Sequence, residues 1–403
     1  MNSMTTACDT LPLPWHARSL LSILGRISEG TLELTTPEGY RLRFGDGAEP
    51  WADLQLFDWS ALRQIFRRGD IGFAECYRDG LIDSGNLTSV LRFALLNQQA
   101  LERTIHGNRL FTLGYRIRHL LRVNSRRGSA RNIGQHYDLG NDFYQSWLDS
   151  GMTYSSAWFG GDLAGDLQLA QHAKYRRMLD FAAAGEGDSV LEIGCGWGGF
   201  AEYAAARGVH VHGVTLSREQ LSFARERLAR AGISSLARLE LRDYRDIEGS
   251  YSHIVSIEML EAVGERYWQT FFGHLNRLLV PGGSAAIQTI VIDDACFEQY
   301  RKGTDFIQQY IFPGGMLPSP AKLNQLAADN GFRFERCDFF GGDYAETIRR
   351  WRERFERHLA AIEQRYDTGF IRLWRLYLAY CEAGFDAGRI NVVHLKLVKE
   401  RQR

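Results

Sequence analysis

The chain has 403 residues, 48 Lys and Arg against 48 Asp and Glu, and a hydrophobic fraction of 45%. That length exceeds a single sheet-and-helix domain of roughly 250 residues, so a second domain is expected. Zero formal net charge excludes bulk attraction to nucleic acid, no apolar run reaches the ~18 residues of a membrane-spanning helix, and six cysteines without a Cys-x-x-Cys pair supply no zinc or disulfide framework.

The start, MNSMTTACDTLPLPWHARSLL, lacks a charged segment followed by an apolar core; this is not a secretory signal, and a cytoplasmic location is expected. Residues 1–20 read as an extension. Next, GTLELTTPEGYRLRFG alternates apolar and polar residues about a PEG turn, a hairpin pattern. The following stretch reads as short helices broken at Gly69, Gly72, Gly80 and Gly85. Residues 21–115 are therefore expected to form a small α+β domain without a catalytic constellation of its own.

Between Arg103 and Tyr137 stand eight arginines and no acid. Residues 116–134 read as a basic linker, with the domain boundary near 115–130. Each basic residue close to an anionic membrane contributes about 1 kcal/mol, so this stretch is expected to hold the protein on such a surface reversibly.

Residues 135–403 carry the chemistry. VLEIGCGWGGF places a buried strand before Gly194, Gly196, Gly198 and Gly199, where missing Cβ atoms let a ligand approach the backbone. A second strand ends in Thr215-Leu216-Ser217, with Gln220 just beyond. A dinucleotide site would show an acid at that tip, so NAD is disfavoured. A third strand reaches Asp243-Tyr244-Arg245-Asp246, suited to clamp an adenine ring. HIVSIEML forms a fourth and carries Glu258 and Glu261 past its end, Pro281–Gly283 turn into a fifth, SAAIQTIVI, and INVVHLKLVK supplies a closing antiparallel strand. This alternation predicts an α/β, doubly wound, Rossmann-like sheet with ligands at the carboxyl ends of its strands.

QHYDLGNDFYQSWLDSGMTYSSAWF, LEIGCGWGGFAEYAA, GVTLSREQ, RDYRDI, IVSIEMLEAVGERY and YIFPGGMLPS together resemble the cyclopropane-fatty-acyl-phospholipid synthases and mycolic acid cyclopropane synthases. The resemblance runs from about Gln135 to the C-terminus. It implies a class I S-adenosylmethionine methyltransferase fold, with Tyr154, Ser155, Gly194, Gly196, Thr215, Leu216, Gln220, Tyr244 and Arg245 holding the cofactor. It implies unsaturated phospholipid acyl chains as substrate; the arginine-rich stretch adds an anionic membrane surface as partner, no metal is expected from the cysteine spacing, and a homodimer is allowed.

An isolated alkene has no proton to lose before attack, so methyl transfer leaves a carbocation that aromatic faces stabilise. Tyr137, Phe143, Tyr154, Trp158, Phe159, Tyr310 and Phe312 are candidates for that lining. A base must then take a proton. In the family this role is attributed to bicarbonate, which the resemblance would place on the Ser156 backbone, Glu261, Gln288 and Tyr344. Ser156 stands where the family pattern has Cys, Gln288 where it has His, and Ala262 where it has a second His. These departures leave two expected products, a cyclopropane or a methyl-branched unsaturated chain. A small-molecule O- or N-methyltransferase and a non-catalytic lipid-binding protein are the competing readings.

Overall fold

A computed structural model describes residues 14–98 and 139–400. The Arg103–Tyr137 stretch, the boundary near 115–130 and Tyr137 itself lie outside the described residues. Two compact units form. The first takes the chain up to residue 98 together with 303–310 and 359–387, and the second takes 139–302, 311–358 and 388–400.

In the first unit, β1 (Thr31–Thr35) and β2 (Arg41–Gly45) make the expected hairpin, with Leu34 opposite Leu42. Strand β3 (Trp51–Leu56) runs parallel to β1, and β4 (Ile82–Asp83) closes the order β2-β1-β3-β4. Three of the expected glycine breaks occur: Gly69 interrupts the helical backbone, and Gly80 and Gly85 lie between helices; Gly72 does not break its helix. One helix spans Ser60–Arg78, kinked at Gly69 (φ 62°), with Gly72 inside it. Helix Leu87–Leu96 starts where Asn86 accepts the Ser89 N–H. Helix Thr368–Asp386 buries Trp374 and Tyr377 in the core of this unit.

Asp70 sits at the kink and ties distant segments together, accepting the Phe306 N–H at 3.0 Å and the Tyr380 hydroxyl at 3.2 Å. Burial pushes its carboxyl above the ordinary value despite these bonds. Nearby, Asp305 is pushed up to about 7, first by burial and then by the charge of Asp70.

The second unit is a seven-stranded sheet of β5 (Ser189–Ile193), β6 (His210–Thr215), β7 (Ala237–Leu241), β8 (Tyr251–Ile257), β9 (Leu279–Ile292), β10 (Phe332–Phe339) and β11 (Ile390–Lys399). Its order is β10-β11-β9-β8-β5-β6-β7, and β11 runs antiparallel to both neighbours. Pro281–Gly283 do not precede β9 but bulge from its ladder, where the partner of Tyr251 is Leu279 and that of His253 is already Ser284. On one face, Trp268, Phe271, Phe272 and Leu275 from helix Glu265–Leu278 join the core. On the other, Met178 and Ala182 from helix Leu167–Ala182 pack with Phe200 and Ala204 from helix Gly199–Ala205. Burying each large side chain of this kind contributes roughly 1.5–3 kcal/mol. The chain reverses direction across the sheet between β5 and β8, which opens a crevice at their carboxyl ends. Among the described residues no helix is long and apolar enough to cross a membrane.

The Asp305 shift gives a pH test. A folded pKa raised above the ordinary 3.8 means that the group's contribution to stability is fully present below 3.8 and is lost as pH rises through about 7. Asp305→Asn keeps the acceptor that caps the Gln308 N–H and removes the titration. Its thermal midpoint should match wild type near about pH 4 and exceed it by several degrees near about pH 8. A difference independent of pH would contradict the assignment.

Candidate active site

At the carboxyl ends of β5, β6 and β8 lies a cleft of about 990 Å³, counted to its open mouth. Its walls include Tyr154, Ser155, Gly194, Gly196, Thr215, Leu216, Gln220 and Tyr244, all expected there from sequence. Gly196 has φ 50°, and a Cβ built on it would meet no protein atom within 4 Å. Thr215 Oγ1 donates to Gln220 Oε1 at 3.0 Å and accepts the Ser217 N–H, which fixes the tip of β6. Arg245 is a correction. Its guanidinium folds back onto Asp243, with Nε to Oδ1 at 2.8 Å and Nη2 to Oδ2 at 2.6 Å, and Arg242 lines the cleft instead. A neighbouring opposite charge within its own turn captures Arg245 before a ligand can.

The most informative wall residue is Glu258, just beyond β8. Its backbone is left-handed, φ 49°, a conformation that costs a non-glycine residue on the order of 1–3 kcal/mol and persists only when surrounding contacts impose it. The contacts are evident. Oε1 accepts the Ser156 backbone N–H at 2.8 Å and the Gln288 amide at 2.7 Å, and Oε2 accepts the Tyr344 hydroxyl at 2.6 Å. Gln288 is oriented from behind, with its Oε1 2.7 Å from His394 Nε2. Arg177 Nε donates to His394 Nδ1 at 2.8 Å, so the imidazole proton lies on Nε2 and points at the amide oxygen. Burial and the neighbouring Arg177 hold His394 well below its ordinary pKa and hence neutral. Register makes this possible, because His394 on β11 pairs directly with Gln288 on β9.

Glu261 was expected at the reacting centre, and its side chain turns elsewhere. Its Oε1 accepts the Thr289 hydroxyl at 2.9 Å and the Ile290 N–H. Burial, then the charge of Glu258, pushes its carboxyl up to about 8. It is therefore largely protonated at neutral pH, and it is absent from the cleft wall. Two residues separate the two acids, and only the nearer one to the strand end faces the cavity.

Beneath the cleft, Lys174 is fully buried and its Nζ donates to Ser155 Oγ at 2.7 Å. Burial lowers it to about 7, against the pull of Glu258, Asp149 and Glu192. Glu192, on the cleft wall, is pushed up to about 8 by burial, and its Oε2 has no hydrogen-bond partner among the described residues. Neither Lys174 nor Glu192 was singled out from sequence; an acid inside an apolar strand, Glu192 in VLEI, was the available signal.

The aromatic wall also differs. Tyr154 lies among Trp147, Tyr144, Trp351 and Phe312, with ring centroids at 5.2, 5.6, 5.6 and 6.3 Å. Tyr154 lines the cleft as expected, and Phe312 packs against it without lining the cleft. Phe143 instead packs behind, against Trp147 and Phe355. Trp158 stacks on the Arg177 guanidinium, and Phe159 lies under Arg350. Tyr310 belongs to the first unit, where its hydroxyl donates to Glu75. Burial of Cys195 raises its thiol pKa, which suits packing and not nucleophilic attack.

Comparison with known proteins agrees with this geometry. The family model described as mycolic acid cyclopropane synthetase matches residues 124–395. A tuberculostearic acid methyltransferase from Mycobacterium tuberculosis is 42% identical over 84% of this chain and 81% of its own length. The chain belongs to the mycolic acid cyclopropane synthetase family. A cyclopropane-fatty-acyl-phospholipid synthase from Escherichia coli K12 is 34% identical over 86% of this chain and 87% of that protein. A crystal structure of a mycolic acid cyclopropane synthase complexed with SAH and CTAB superposes with TM-score 0.62 at 30% identity, covering 67% of this chain and 98% of that one. The fold is that of class I S-adenosylmethionine methyltransferases, and the protein is an enzyme of that class.

The family's two small-molecule requirements fare differently against this site. S-adenosylmethionine fits. The open face of Gly196, the Thr215–Gln220 pair and the unpartnered Glu192 oxygen form a cradle with an acceptor for a cationic ligand. Bicarbonate does not fit as expected. The Ser156 N–H, the Gln288 amide and the Tyr344 hydroxyl are all bound to the Glu258 carboxylate, and Glu261 points to β9.

Gly196→Val should put a branched side chain into the cradle at a left-handed backbone position. Calorimetry should then show cofactor affinity at least about tenfold weaker, a change of ~1.4 kcal/mol. Wild-type affinity in this variant would mean that the cofactor lies elsewhere.

Proposed function

We propose that this enzyme methylates the double bond of unsaturated acyl chains in phospholipids and leaves a methyl-branched unsaturated chain. The observation that carries the reading is a buried carboxylate on the cleft wall, Glu258, in the same cavity as Tyr154 and its cluster of aromatic rings. S-adenosylmethionine, when bound, supplies an electrophilic methyl group. The protein's part is to exclude water, face the developing cation with Tyr154, which Trp147, Trp351 and Phe312 hold in place, and present Glu258 near it. A 42% identity to a relative named as a methyltransferase, against 34% to one named as a cyclopropane synthase, favours the branched product over ring closure. A small O- or N-nucleophile has no comparable use for this aromatic cluster.

Expression in a bacterium that lacks lipid methylation, followed by mass spectrometry of membrane fatty acids, tests this directly. Unsaturated chains should gain one CH2 and keep a double bond. Unchanged chains would overturn the reading, and a wholly cyclopropane product would overturn the branched assignment.

The reading includes peripheral docking on anionic membranes through the arginines between Arg103 and Arg131, which rests on their number and the absence of acids. Surface attraction of this kind is screened over about 8 Å at physiological ionic strength. Co-sedimentation with vesicles should rise with anionic lipid content and fall with salt. Binding indifferent to both would contradict it.

A further inference from the structure

We infer that Glu258 is the built-in base of this enzyme, a side-chain carboxylate standing in place of a free bicarbonate ion. The inference rests on the acyl-methylation reading above and deepens it. Two oxygens on one planar carbon, accepting one backbone N–H, one amide and one phenol, reproduce the acceptor geometry of a bound carbonate-like anion. Every donor that would hold such an ion is already spent on Glu258. The carboxylate is tethered, so no second anion has to be recruited or desolvated, and its effective concentration is that of a group held in place.

The left-handed backbone is part of the device. Residue 258 must reverse direction immediately after β8 to bring its side chain back between Ser156, Gln288 and Tyr344, and a non-glycine residue adopts φ 49° only at a cost. Burial raises the proton affinity of Glu258 above that of a solvated glutamate, against the hydrogen bonds from Tyr344, Ser156 and Gln288 and the nearby Lys174. A raised proton affinity suits a group that accepts a proton during turnover.

The step balances without another reactant. After methyl transfer, a C–H bond of the cationic acyl chain breaks, and its proton passes to a Glu258 oxygen. The C–H electron pair forms either a new C=C bond or the third bond of a ring. The proton leaves to solvent when the products depart.

Glu258→Gln is nearly isosteric: its amide oxygen keeps the Ser156 and Gln288 donors, and its NH2 can donate to the Tyr344 oxygen. Glu258→Gly suits the left-handed backbone and vacates the carboxylate's place. Four measurements are read together: turnover with and without bicarbonate, cofactor affinity by calorimetry, thermal midpoint, and binding of isotopically labelled bicarbonate. The inference expects wild-type turnover to be unchanged in bicarbonate-free buffer and wild type to bind no labelled ion. Glu258→Gln should lose roughly a hundredfold to ten-thousandfold in turnover at near-wild-type cofactor affinity. Glu258→Gly should bind the labelled ion and regain turnover when bicarbonate is added. Wild-type turnover that collapses without bicarbonate, or Glu258→Gln turnover near that of wild type, would overturn it. Those outcomes leave acyl methylation standing; a wild type that binds cofactor and methylates no acyl chain counts against the functional reading itself.

Discussion

The site depends on one buried carboxylate held by three donors from separate parts of the fold. Ser156 comes from the loop before helix Leu167–Ala182, Gln288 from the middle of β9, and Tyr344 from the first turn of helix Gly341–Arg357. An ionised group without such partners would be costly in this interior, and the donors would be equally costly without it. The sheet therefore needs its register. A slip of one residue between β9 and β11 would turn His394 to the other face, free the Gln288 amide to flip, and leave Glu258 with a carbonyl where it now has a donor.

Around this carboxylate the charges are arranged so that only some are expressed. Glu261 and Glu192 are both pushed up to about 8, and Lys174 is lowered to about 7. Ionising all three carboxyls together against one buried lysine would stack like charges in a dry site, so protons distribute to avoid it. Glu258 has the most donors of the three, although burial raises its proton affinity too. Glu192 faces the cleft with an open oxygen, and a cationic ligand beside it would favour its ionised form. Cofactor binding and the charge state of the site are thereby linked through side chains that never leave the core.

Six of the seven strands of the large sheet, the glycine turn and the eight of nine expected cofactor residues that line the cleft were legible because they follow from local patterns: apolar runs, glycines after a strand, and polar tips at successive strand ends; β10 was not foreseen. Arg245 was misplaced because an ion pair with Asp243 two residues away decides its direction, and spacing does not reveal that competition. The two acids in IEMLEA were visible, yet which one faces the cavity depends on a left-handed backbone at Glu258 that no periodicity encodes. His394 could not be linked to Gln288 before the antiparallel register of β9 and β11 was known. In the first unit, the break at Gly69 was legible from the glycine itself, whereas the contacts of Asp70 with Phe306 and Tyr380 just after it join residues too far apart in sequence to be read from spacing.

The central claim is positional, and a crystal structure of the wild-type enzyme grown in bicarbonate with S-adenosylhomocysteine tests it most directly. Density continuous with the Glu258 side chain, its carboxylate within hydrogen-bond distance of the Ser156 nitrogen, the Gln288 amide and the Tyr344 hydroxyl, is the predicted result. A separate trigonal ion on those three donors, with the Glu258 carboxylate swung away, would contradict it.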